Sequence, residues 1–401
     1  MSKPYDVVVV GGAGHVGAPL SIVLASRGLR TLIYDLNERT VAELKAGRLP
    51  FREDGAEPLL KEALRRDLLG FSHSPESVAG VPVVIVTIGT PIDEFQNPQV
   101  SVLTRCVDAL LPWISDDQLI VLRSTVAPGV TEHLAKYLES RGKRPAVAFC
   151  PERVVQGKGV EEIQALPQLV SGTTPDAVSR ATALFSKVAP EVVELSPREA
   201  EYAKLISNAW RYIQFAATNQ FYMMVEAEGL DYQALVAKIK RGYPRMALFP
   251  TAGFAAGPCL MKDTMQLFAY KKHDFILGQV AMTINEGLPD FLVSQLMRTT
   301  KIGGRRIGIL GMAFKAESDD IRDSLSYKLK KILEFQGAEV ACSDEYVSDP
   351  RFVSKEALLQ QSEVVIVGVP HDAYRGLLAS PGQVVVDVWG ILGTPMRTSD
   401  V

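Results

Sequence analysis

The sequence predicts an α/β protein in which two Rossmann-like, doubly wound parallel-sheet domains are joined by a long central helix. Three observations support this prediction. The chain opens with a strand, a glycine-rich turn and a helix; apolar strands then alternate with helical patterns; and the same alternation begins again after residue 290. We therefore expect an N-terminal nucleotide-binding domain at 1–195, a central helical domain at 196–295 and a C-terminal nucleotide-binding domain at 296–401.

The first strand leads into a dinucleotide-binding pattern. The apolar run 5–10 is followed by the glycine-rich turn 11–17 and a helical pattern, and the next strand ends at Asp35, 18 positions after Gly17. Glycines let a pyrophosphate approach the helix N-terminus, while Asp35 would accept hydrogen bonds from the ribose hydroxyls and repel a 2′-phosphate. The sequence therefore predicts NAD as cofactor. The predicted NAD-binding residues are Gly12, Gly14, His15, Val16, Gly17 and Asp35.

Three later strands, at 83–87, 118–122 and 146–149, continue the parallel sheet. Ligands of such sheets bind beyond the carboxyl ends of the strands, so the residues that follow each strand are candidates for ligand contact. These segments are Gly89-Thr90-Pro91, Ser124-Thr125-Val126-Ala127-Pro128-Gly129 and Pro151-Glu152-Arg153. Turn chemistry alone is the alternative explanation for the Thr-Pro and Pro-Gly segments.

The longest helical pattern covers 199–228 and is apolar around most of its circumference, which predicts a buried helix that also forms a subunit interface. Lys204 and Asn208 lie four positions apart and therefore share one face of it. A buried lysine usually has a function or a partner. The alternative is a Glu201–Lys204 surface pair near the helix start.

The stretch Gly257-Pro258-Cys259-Leu260-Met261-Lys262-Asp263 places a thiol beside one charge of each sign. A nucleophilic cysteine must be available as thiolate, and a nearby cation favours that form. The alternative is a buried structural cysteine beside an exposed Lys-Asp pair. The four cysteines, at 106, 150, 259 and 342, show no CxxC spacing and no paired histidine, so we expect neither a zinc site nor a disulfide framework.

A second α/β pattern without the glycine fingerprint occupies the C-terminal part. Strands are predicted at 306–310, 339–342, 364–369 and 384–388, with a helix at 324–336. The composition is that of an ordinary globular protein, since 47% of residues are hydrophobic, 22% are charged and the net charge is -3. This charge argues against a nucleic-acid partner, and the absence of a long apolar run or a signal-peptide pattern predicts a cytoplasmic protein without a membrane partner.

Several of these segments together resemble the UDP-glucose/GDP-mannose dehydrogenase family of nucleotide-sugar 6-dehydrogenases. The matching segments are Gly12 to Gly17, Thr90-Pro91, Ser124 to Gly129, Pro151-Glu152-Arg153, Glu201 to Asn208, Cys259 to Asp263 and Gly311 to Ser324. The resemblance implies four-electron oxidation of a UDP-sugar C6 alcohol to a carboxylate with two NAD, giving a uronic acid of the kind used in polysaccharide biosynthesis. The resemblance also implies that Cys259 traps the aldehyde as a thiohemiacetal and then forms a thioester.

The same resemblance assigns roles to the other residues. Lys204 would stabilise the developing oxyanion, Asn208 would donate a hydrogen bond to it, and Asp263 with Thr125 would position water. Glu152 would act in acid–base or hydrolysis steps. The expected substrate contacts are Glu152, Arg153, Lys204, Asn208, Arg245, Gly257 and Lys315, and the further NAD contacts are Thr90, Thr125 and Arg322.

Arg245 matches a family arginine that reaches the neighbour's substrate, which implies a homodimer. The alternative is a solvated loop charge. The chain also departs from the family pattern: Phe254 and Ala256 replace glycines, Met261 stands where proline is common, and Asp387-Val388-Trp389-Gly390 lacks the basic residue that often follows the last strand. We expect Phe254 and Ala256 to change the sugar pocket. We expect the missing basic residue to remove one contact to a cofactor phosphate.

Two features divide the substrate prediction. Gly157 after Pro151-Glu152-Arg153 and the Pro244-Arg245 spacing favour a UDP-N-acetylhexosamine, UDP-N-acetylmannosamine or UDP-N-acetylglucosamine, whereas Lys262-Asp263 favours UDP-glucose. A rival hypothesis is a two-electron 3-hydroxyacid or 6-phosphogluconate-type dehydrogenase, which needs neither a cysteine nucleophile nor a second α/β module. A non-enzymatic NAD- and nucleotide-sugar sensor would lack Cys259, Lys204 or Asp263, and all three are present.

Overall fold

The structure is a computed structural model that describes residues 4–93, 99–271, 274–380 and 382–392. The chain divides into two compact units. The first contains Met1–Ser207 with Ala269–Lys271, and the second contains Asn208–Phe268 with Lys272–Val401. Within the described ranges, none of the helices combines the length and the apolar character that crossing a membrane requires.

The first unit is built on an eight-stranded sheet in the order β3-β2-β1-β4-β5-β6-β7-β8. The strands are β1 (Val7–Val10), β2 (Thr31–Tyr34), β3 (Leu69–Ser72), β4 (Val83–Val86), β5 (Leu119–Leu122), β6 (Ala146–Phe149), β7 (Gln168–Gly172) and β8 (Val192–Glu194). Strands β1 to β6 pair in parallel, which confirms the predicted doubly wound sheet. Strand β7 pairs antiparallel with β6 and parallel with β8, and the sequence patterns did not predict this extension.

Helices cover both faces of this sheet. They are α1 (Gly17–Ser26), α2 (Glu38–Lys45), α3 (Ala56–Arg65), α4 (Val100–Leu110), α5 (Val130–Ser140), α6 (Gly159–Ala165) and α7 (Pro175–Phe185). Alternate residues of β1 enter different cores: Val7 and Val9 pack with α1 and α3, whereas Val8 and Val10 pack with α4 and α5. Both faces of the strand are therefore buried, which explains its continuous apolar sequence.

The second unit contains a four-stranded parallel sheet in the order β10-β9-β11-β12. Its strands are β9 (Arg306–Leu310), β10 (Glu339–Ser343), β11 (Val364–Val367) and β12 (Val384–Val386). Its helices are α9 (Tyr232–Lys240), α10 (Leu260–Tyr270), α11 (Ile276–Thr299), α12 (Leu325–Phe335) and α13 (Lys355–Gln361). The second α/β module that the sequence predicts is thus confirmed.

The long central helix α8 runs from Pro197 to Ala227 and contains 31 residues. The predicted burial all round is wrong for this chain, because Ile206, Trp210, Phe221 and Met224 are 54%, 58%, 47% and 58% exposed. At about 100° per residue these four side chains fall within about 60° of one another on the helix. An apolar pattern alone therefore overestimated burial, since one face of α8 is open. The three-domain boundaries stay a prediction.

Candidate active site

The glycine turn of the first unit connects β1 to α1 and leaves no room for side chains at two positions. A β-carbon at Gly17 would lie 2.6 Å from Gly12 Cα and 2.8 Å from Thr87 Oγ1, and one at Gly12 would lie 2.6 Å from the Val9 carbonyl oxygen. Thr87 at the end of β4 donates from Oγ1 to the carbonyl oxygens of Val10 and Gly11. The turn is therefore held tightly against the sheet edge, and no acidic residue occupies the first turn of α1. This is the cradle that a pyrophosphate at a helix N-terminus requires.

Asp35 follows β2 and faces the same turn. Its carboxylate accepts hydrogen bonds from Ala13 N (3.0 Å) and Asn37 N (2.9 Å). The side chain is half-buried, so acceptor positions remain open for ribose hydroxyls. His15, in the turn itself, packs against Phe51 in a tilted arrangement with ring centroids 4.1 Å apart. The predicted turn residues and Asp35 thus come together at one sheet edge, and this arrangement fits the adenosine half of NAD.

The segments after β4 and β5 are tied to each other. Thr90 Oγ1 donates to the Thr125 carbonyl oxygen at 2.6 Å, and Ser124 Oγ donates to the Ile88 carbonyl oxygen at 2.6 Å. The sequence missed the residue that holds the end of this segment. Glu201 on α8 accepts hydrogen bonds from Gly129 N (2.5 Å), Thr131 N (2.8 Å) and Thr131 Oγ1 (2.6 Å), so it caps α5.

The environment of Glu201 also tests the alternative of a Glu201–Lys204 surface pair. Burial raises the pKa of Glu201, while the hydrogen bonds from Thr131 and Gly129 act in the opposite direction. Glu201 is 0% exposed and Lys204 is 5% exposed, so the alternative of a surface pair between them is wrong. Lys204 lies one turn before Asn208 on α8.

Glu152 and Arg153 follow β6, and both side chains form hydrogen bonds to backbone groups of the first unit. A Glu152 carboxylate oxygen accepts from Val154 N, and Arg153 donates to the Pro167 carbonyl oxygen. Beneath them lies Arg123, which the sequence did not single out. Its guanidinium is buried, donates to Gln168 Oε1 at 2.9 Å and stacks on Phe185. Burial lowers the pKa of Arg123, and the nearby Glu152 carboxylate raises it.

In the second unit, Cys259 is the N-cap of α10. Its carbonyl oxygen accepts from Asp263 N at 2.8 Å, which is the first hydrogen bond of the helix, and the residue is exposed. The partial positive charge at a helix N-terminus favours a thiolate there. The other three cysteines differ, because burial raises the pKa of Cys106 to about 11, of Cys150 to about 12 and of Cys342 to about 11. The alternative of a buried structural cysteine is therefore wrong for Cys259.

Arg322 adds a second positive charge beside this sulfur. Its guanidinium pairs with Asp320, with Nη2 2.6 Å from Oδ2. The pKa of Arg322 is raised by the hydrogen bond to Asp320 and, to a smaller extent, by the charge of Asp320 and of Cys259.

Asn208 and Asp263 form a buried pair near the start of α10. Asn208 Nδ2 donates to Asp263 Oδ2 at 2.6 Å, and the two side chains are 8% and 1% exposed. Asp263 Oδ1 accepts no hydrogen bond within the described residues, although Lys262 Nζ lies 3.4 Å away. We interpret the lysine contact as electrostatic, since it lacks hydrogen-bond geometry. A buried oxygen of this kind is suited to accept a hydrogen bond from water or a ligand hydroxyl.

The remaining predicted residues of the second unit are spread over three loops. Lys315 is half-buried and follows Phe314 in the loop after β9, and Gly257 lies against the Phe314 ring. Arg245 lies on the short 3₁₀ helix Pro244–Met246, is exposed and stacks on Tyr243. Phe254 is buried in the core of the unit, which explains how a large side chain replaces a glycine there.

Family comparisons agree with this arrangement. The NAD-binding, central and UDP-binding domains of the UDP-glucose/GDP-mannose dehydrogenase family match residues 6–189, 198–286 and 308–394. The chain belongs to this family. It is therefore an NAD-dependent dehydrogenase with a UDP-sugar as substrate, and the prediction of NAD is confirmed.

Relatives in this dehydrogenase family cover almost the whole chain. The UDP-N-acetyl-D-mannosamine dehydrogenase of Pyrococcus horikoshii is 27% identical over 92% of this chain and 90% of its own. The solved structure of that enzyme has a TM-score of 0.90, with 26% identity and 97% of each chain covered. The UDP-N-acetyl-D-glucosamine 6-dehydrogenase of Pseudomonas aeruginosa is 28% identical over 94% and 90% of the two chains. A UDP-glucose dehydrogenase of Pyrobaculum islandicum is 27% identical, with a TM-score of 0.88 over 97% and 95% of the chains.

Proposed function

We propose that this dehydrogenase oxidises the C6 hydroxyl of a UDP-N-acetylhexosamine to the carboxylate, with removal of four electrons. UDP-N-acetylmannosamine is the favoured substrate and UDP-N-acetylglucosamine the next. The observation that carries the proposal is the exposed Cys259 thiol at the N-cap of α10, beside Arg322. A dehydrogenase that stops at the aldehyde has no use for such a nucleophile.

The chemistry follows from what the thiol does to an aldehyde. NAD, when bound, accepts one hydride from C6 in each of two oxidations. The Cys259 thiolate adds to the carbonyl carbon of the first product and gives a thiohemiacetal, which holds the aldehyde covalently. Loss of a second hydride from that carbon leaves a thioester. One water then cleaves the C–S bond, releases the UDP-uronic acid and returns the thiol.

We assign the other charged and polar residues to oxyanion stabilisation, to water positioning and to acid–base steps. Lys204 is a buried cation and Asn208 an amide donor one turn away, so both suit the oxyanion that forms when the thiol or water adds. Asp263 Oδ1 is buried and accepts no hydrogen bond from the described residues, so it suits the hydrolytic water. Thr125 and Glu152 are the residues of the first unit that we assign to water positioning and acid–base steps. Arg322 is reassigned in this proposal, because its place beside Cys259 suits the thiolate better than the NAD contact expected from the resemblance.

The choice of sugar rests on the relatives and on local sequence. The Pyrococcus and Pseudomonas relatives named above act on N-acetylhexosamine nucleotides, and Gly157 after Pro151-Glu152-Arg153 agrees with that branch. UDP-glucose is the alternative to both N-acetylhexosamine nucleotides, supported by Lys262-Asp263 and by the Pyrobaculum relative. We propose Lys315 and Arg245 as contacts to the nucleotide sugar. Cytoplasmic location and a product used for polysaccharide synthesis belong to the same proposal.

The test is NADH formation by the purified protein on UDP-N-acetylmannosamine, UDP-N-acetylglucosamine, UDP-glucose and GDP-mannose. We expect two NADH per sugar consumed with one member of this panel. Cys259→Ala should abolish the second NADH, whereas the matched control Cys106→Ala should keep both. One NADH per sugar from the wild type, unchanged by loss of Cys259, would instead indicate the two-electron dehydrogenase.

We also propose a homodimer formed through helix α8. Its support is the exposed apolar face made by Ile206, Trp210, Phe221 and Met224. Exposed Arg245 would then be available to the partner's substrate, as the family resemblance implies. Light scattering after gel filtration should give a dimer for the wild type and a monomer for Trp210→Asp. Phe335→Asp changes an 87% exposed residue outside this face and should stay dimeric, and a monomeric wild type would contradict the proposal.

A further inference from the structure

The segment that leads to Cys259 is packed against two aromatic rings of the second unit. Gly253 is buried with φ +151°, and any β-carbon there would collide with the indole ring of Trp389. Gly257 has φ +95°, and a β-carbon there would collide with the ring of Phe314. Phe314 lies in the loop after β9 and Trp389 in the loop after β12. Two loops at the carboxyl edge of one sheet therefore contact the segment that carries the thiol.

Trp389 is itself held rigidly. Its indole Nε1 donates to the Gly368 carbonyl oxygen at 3.1 Å, and its backbone N donates to Asp387 Oδ1 at 3.1 Å. Gln233 on α9 fixes the same loop by donating from Nε2 to the Val388 carbonyl oxygen at 2.8 Å. The half-buried indole is thus a fixed surface, because both its ring nitrogen and its backbone are engaged.

The backbone of Gly253 is also held by the buried amide of Asn219. Gly253 N donates to Asn219 Oδ1 at 2.8 Å, and Asn219 Nδ2 donates back to the Gly253 carbonyl oxygen at 3.0 Å. Asn219 Nδ2 also donates to Asn285 Oδ1 at 2.9 Å, and Asn285 Nδ2 donates to the Tyr212 carbonyl oxygen at 3.0 Å. Residue 253, six positions before Cys259, is therefore held by hydrogen bonds to a buried amide and packs against an indole.

We propose that Trp389 is a positioning residue for the Cys259 thiol, and that it keeps the aldehyde from escaping between the two oxidations. This inference rests on the proposed function. The thiol must capture the aldehyde faster than the aldehyde dissociates, so a small displacement of the sulfur lowers the fraction that is trapped. The sequence showed only that the segment 387–390 lacks a basic residue. The structure assigns the Trp389 indole the role of supporting residues 253–259, the segment that ends at the thiol.

The first test measures the fate of the aldehyde in Trp389→Ala. We expect NADH per sugar to fall from two toward one, with the missing fraction captured as a hydrazone when a hydrazine is present. Trp389→Phe keeps a ring against Gly253 and should return the ratio close to two. Trp113→Ala, which removes a 40% exposed tryptophan from the first unit, is the matched control and should keep two. A ratio of two in Trp389→Ala overturns the proposal.

The second test does not require turnover. Iodoacetamide labelling of Cys259 is followed by mass spectrometry over a range of pH, with Cys106, Cys150 and Cys342 as internal references. In Trp389→Ala the labelling profile of Cys259 should move to higher pH, because the sulfur loses its place at the helix N-terminus beside Arg322. An unchanged profile together with lost activity also overturns the proposal. If Trp389→Ala does not fold, Trp389→Leu against Trp389→Phe makes the same comparison.

The two tests separate this inference from the function on which it rests. A wild type that yields one NADH per sugar refutes the thioester mechanism, and a shift of the labelling profile in that case still supports the positioning role. A wild type that yields two, with Trp389→Ala indistinguishable from it in both tests, leaves the proposed function standing and refutes the role of Trp389.

Discussion

The two α/β modules of this chain place an aspartate at the same point of the same topology and use it differently. Asp35 follows β2 and accepts hydrogen bonds from two backbone N–H groups while staying half-buried. Asp344 follows β10, and its side chain is fully buried. It accepts from Met312 N, Ala313 N, Tyr346 N and Val347 N, with His371 Nε2 3.2 Å away. The first carboxylate is open to a ligand, whereas the second is saturated by its own module.

This difference explains how one architecture serves two ligands. In the first module the acid remains available to hydroxyls, as an NAD-binding domain requires. In the second module Asp344 accepts hydrogen bonds from four backbone N–H groups of the same module. Side chains in the loops after β9 and β12 contact other groups. Phe314 and Trp389 in those loops pack against residues 253–257, the segment that precedes Cys259. We infer that the second module supports the reacting centre as well as its nucleotide.

The largest expected effect is the difference between the stability lost on removing Asp344 and the stability lost on removing Asp35. Asp344→Ala removes one buried acceptor from four backbone donors and His371, which should lower the free energy of unfolding by about 3–5 kcal/mol. Asp35→Ala should cost about 1 kcal/mol or less, since water can replace the lost bonds at a half-buried site. Urea unfolding followed by circular dichroism measures both. Equal losses in the two variants would remove the distinction between an open and a saturated acid.

A second expected effect concerns the turn of the first module. Gly17→Ala would press a β-carbon onto Gly12 and Thr87, so we expect a loss of about 3 kcal/mol in stability and no measurable NAD binding. Gly14→Ala is the control in the same turn, because the nearest atom to its β-carbon, the Gly11 carbonyl oxygen, would be 3.5 Å away. It should keep the stability of the wild type. Calorimetric unfolding and NADH fluorescence titration report the two properties, and a stable Gly17→Ala would contradict the packing argument.

The third expected effect is a dependence of stability on pH that arises from Asp344 of the second module. Burial raises the pKa of Asp344, but hydrogen bonds from His371 and backbone N–H groups outweigh it and lower the pKa to about 2. A lowered carboxyl pKa contributes stability above the unfolded value of 3.8, and that contribution is lost as the pH falls toward 2. The stability gap between wild type and Asp344→Asn, about 2 kcal/mol at pH 6, should therefore close between pH 4 and pH 2. A gap that is constant over that range would show that the charge of Asp344 is not the cause.

Local patterns predicted the parts of both modules that depend on neighbours in sequence. The runs Val7–Val10 and Val364–Val367 are short, β-branched and bounded by turn residues, so their strands were predictable. Strand β7 was not, because Gln168 and Ser171 interrupt its apolar run, and Pro289 inside α11 obscures that helix. The exposed face of α8 was also mispredicted, since an apolar pattern does not say what covers a face.

The candidate site shows the same division. The glycine turn, Asp35 and the thiol stretch are each contained in a few residues, so their chemistry could be predicted. The Glu201 cap joins groups 70 positions apart, and the Asn219–Gly253 pair joins groups 34 positions apart. Contacts of this kind depend on the packed fold. They explain why the contacts of Arg123, of Asn219 and of Trp389 with Gly253 were visible only in the structure.

The smallest expected effect tests the open acid directly. Asp35→Asn keeps one oxygen acceptor but loses the charge, so NAD affinity should fall by about 1 kcal/mol, which is about fivefold. Discrimination against NADP should fall at the same time, because the 2′-phosphate no longer meets a carboxylate. Isothermal titration with both cofactors measures the two changes, and Asp344→Asn is the matched control. If Asp344→Asn also changed the NADP to NAD ratio, the second acid would take part in cofactor choice, and the contrast between the two modules would fail.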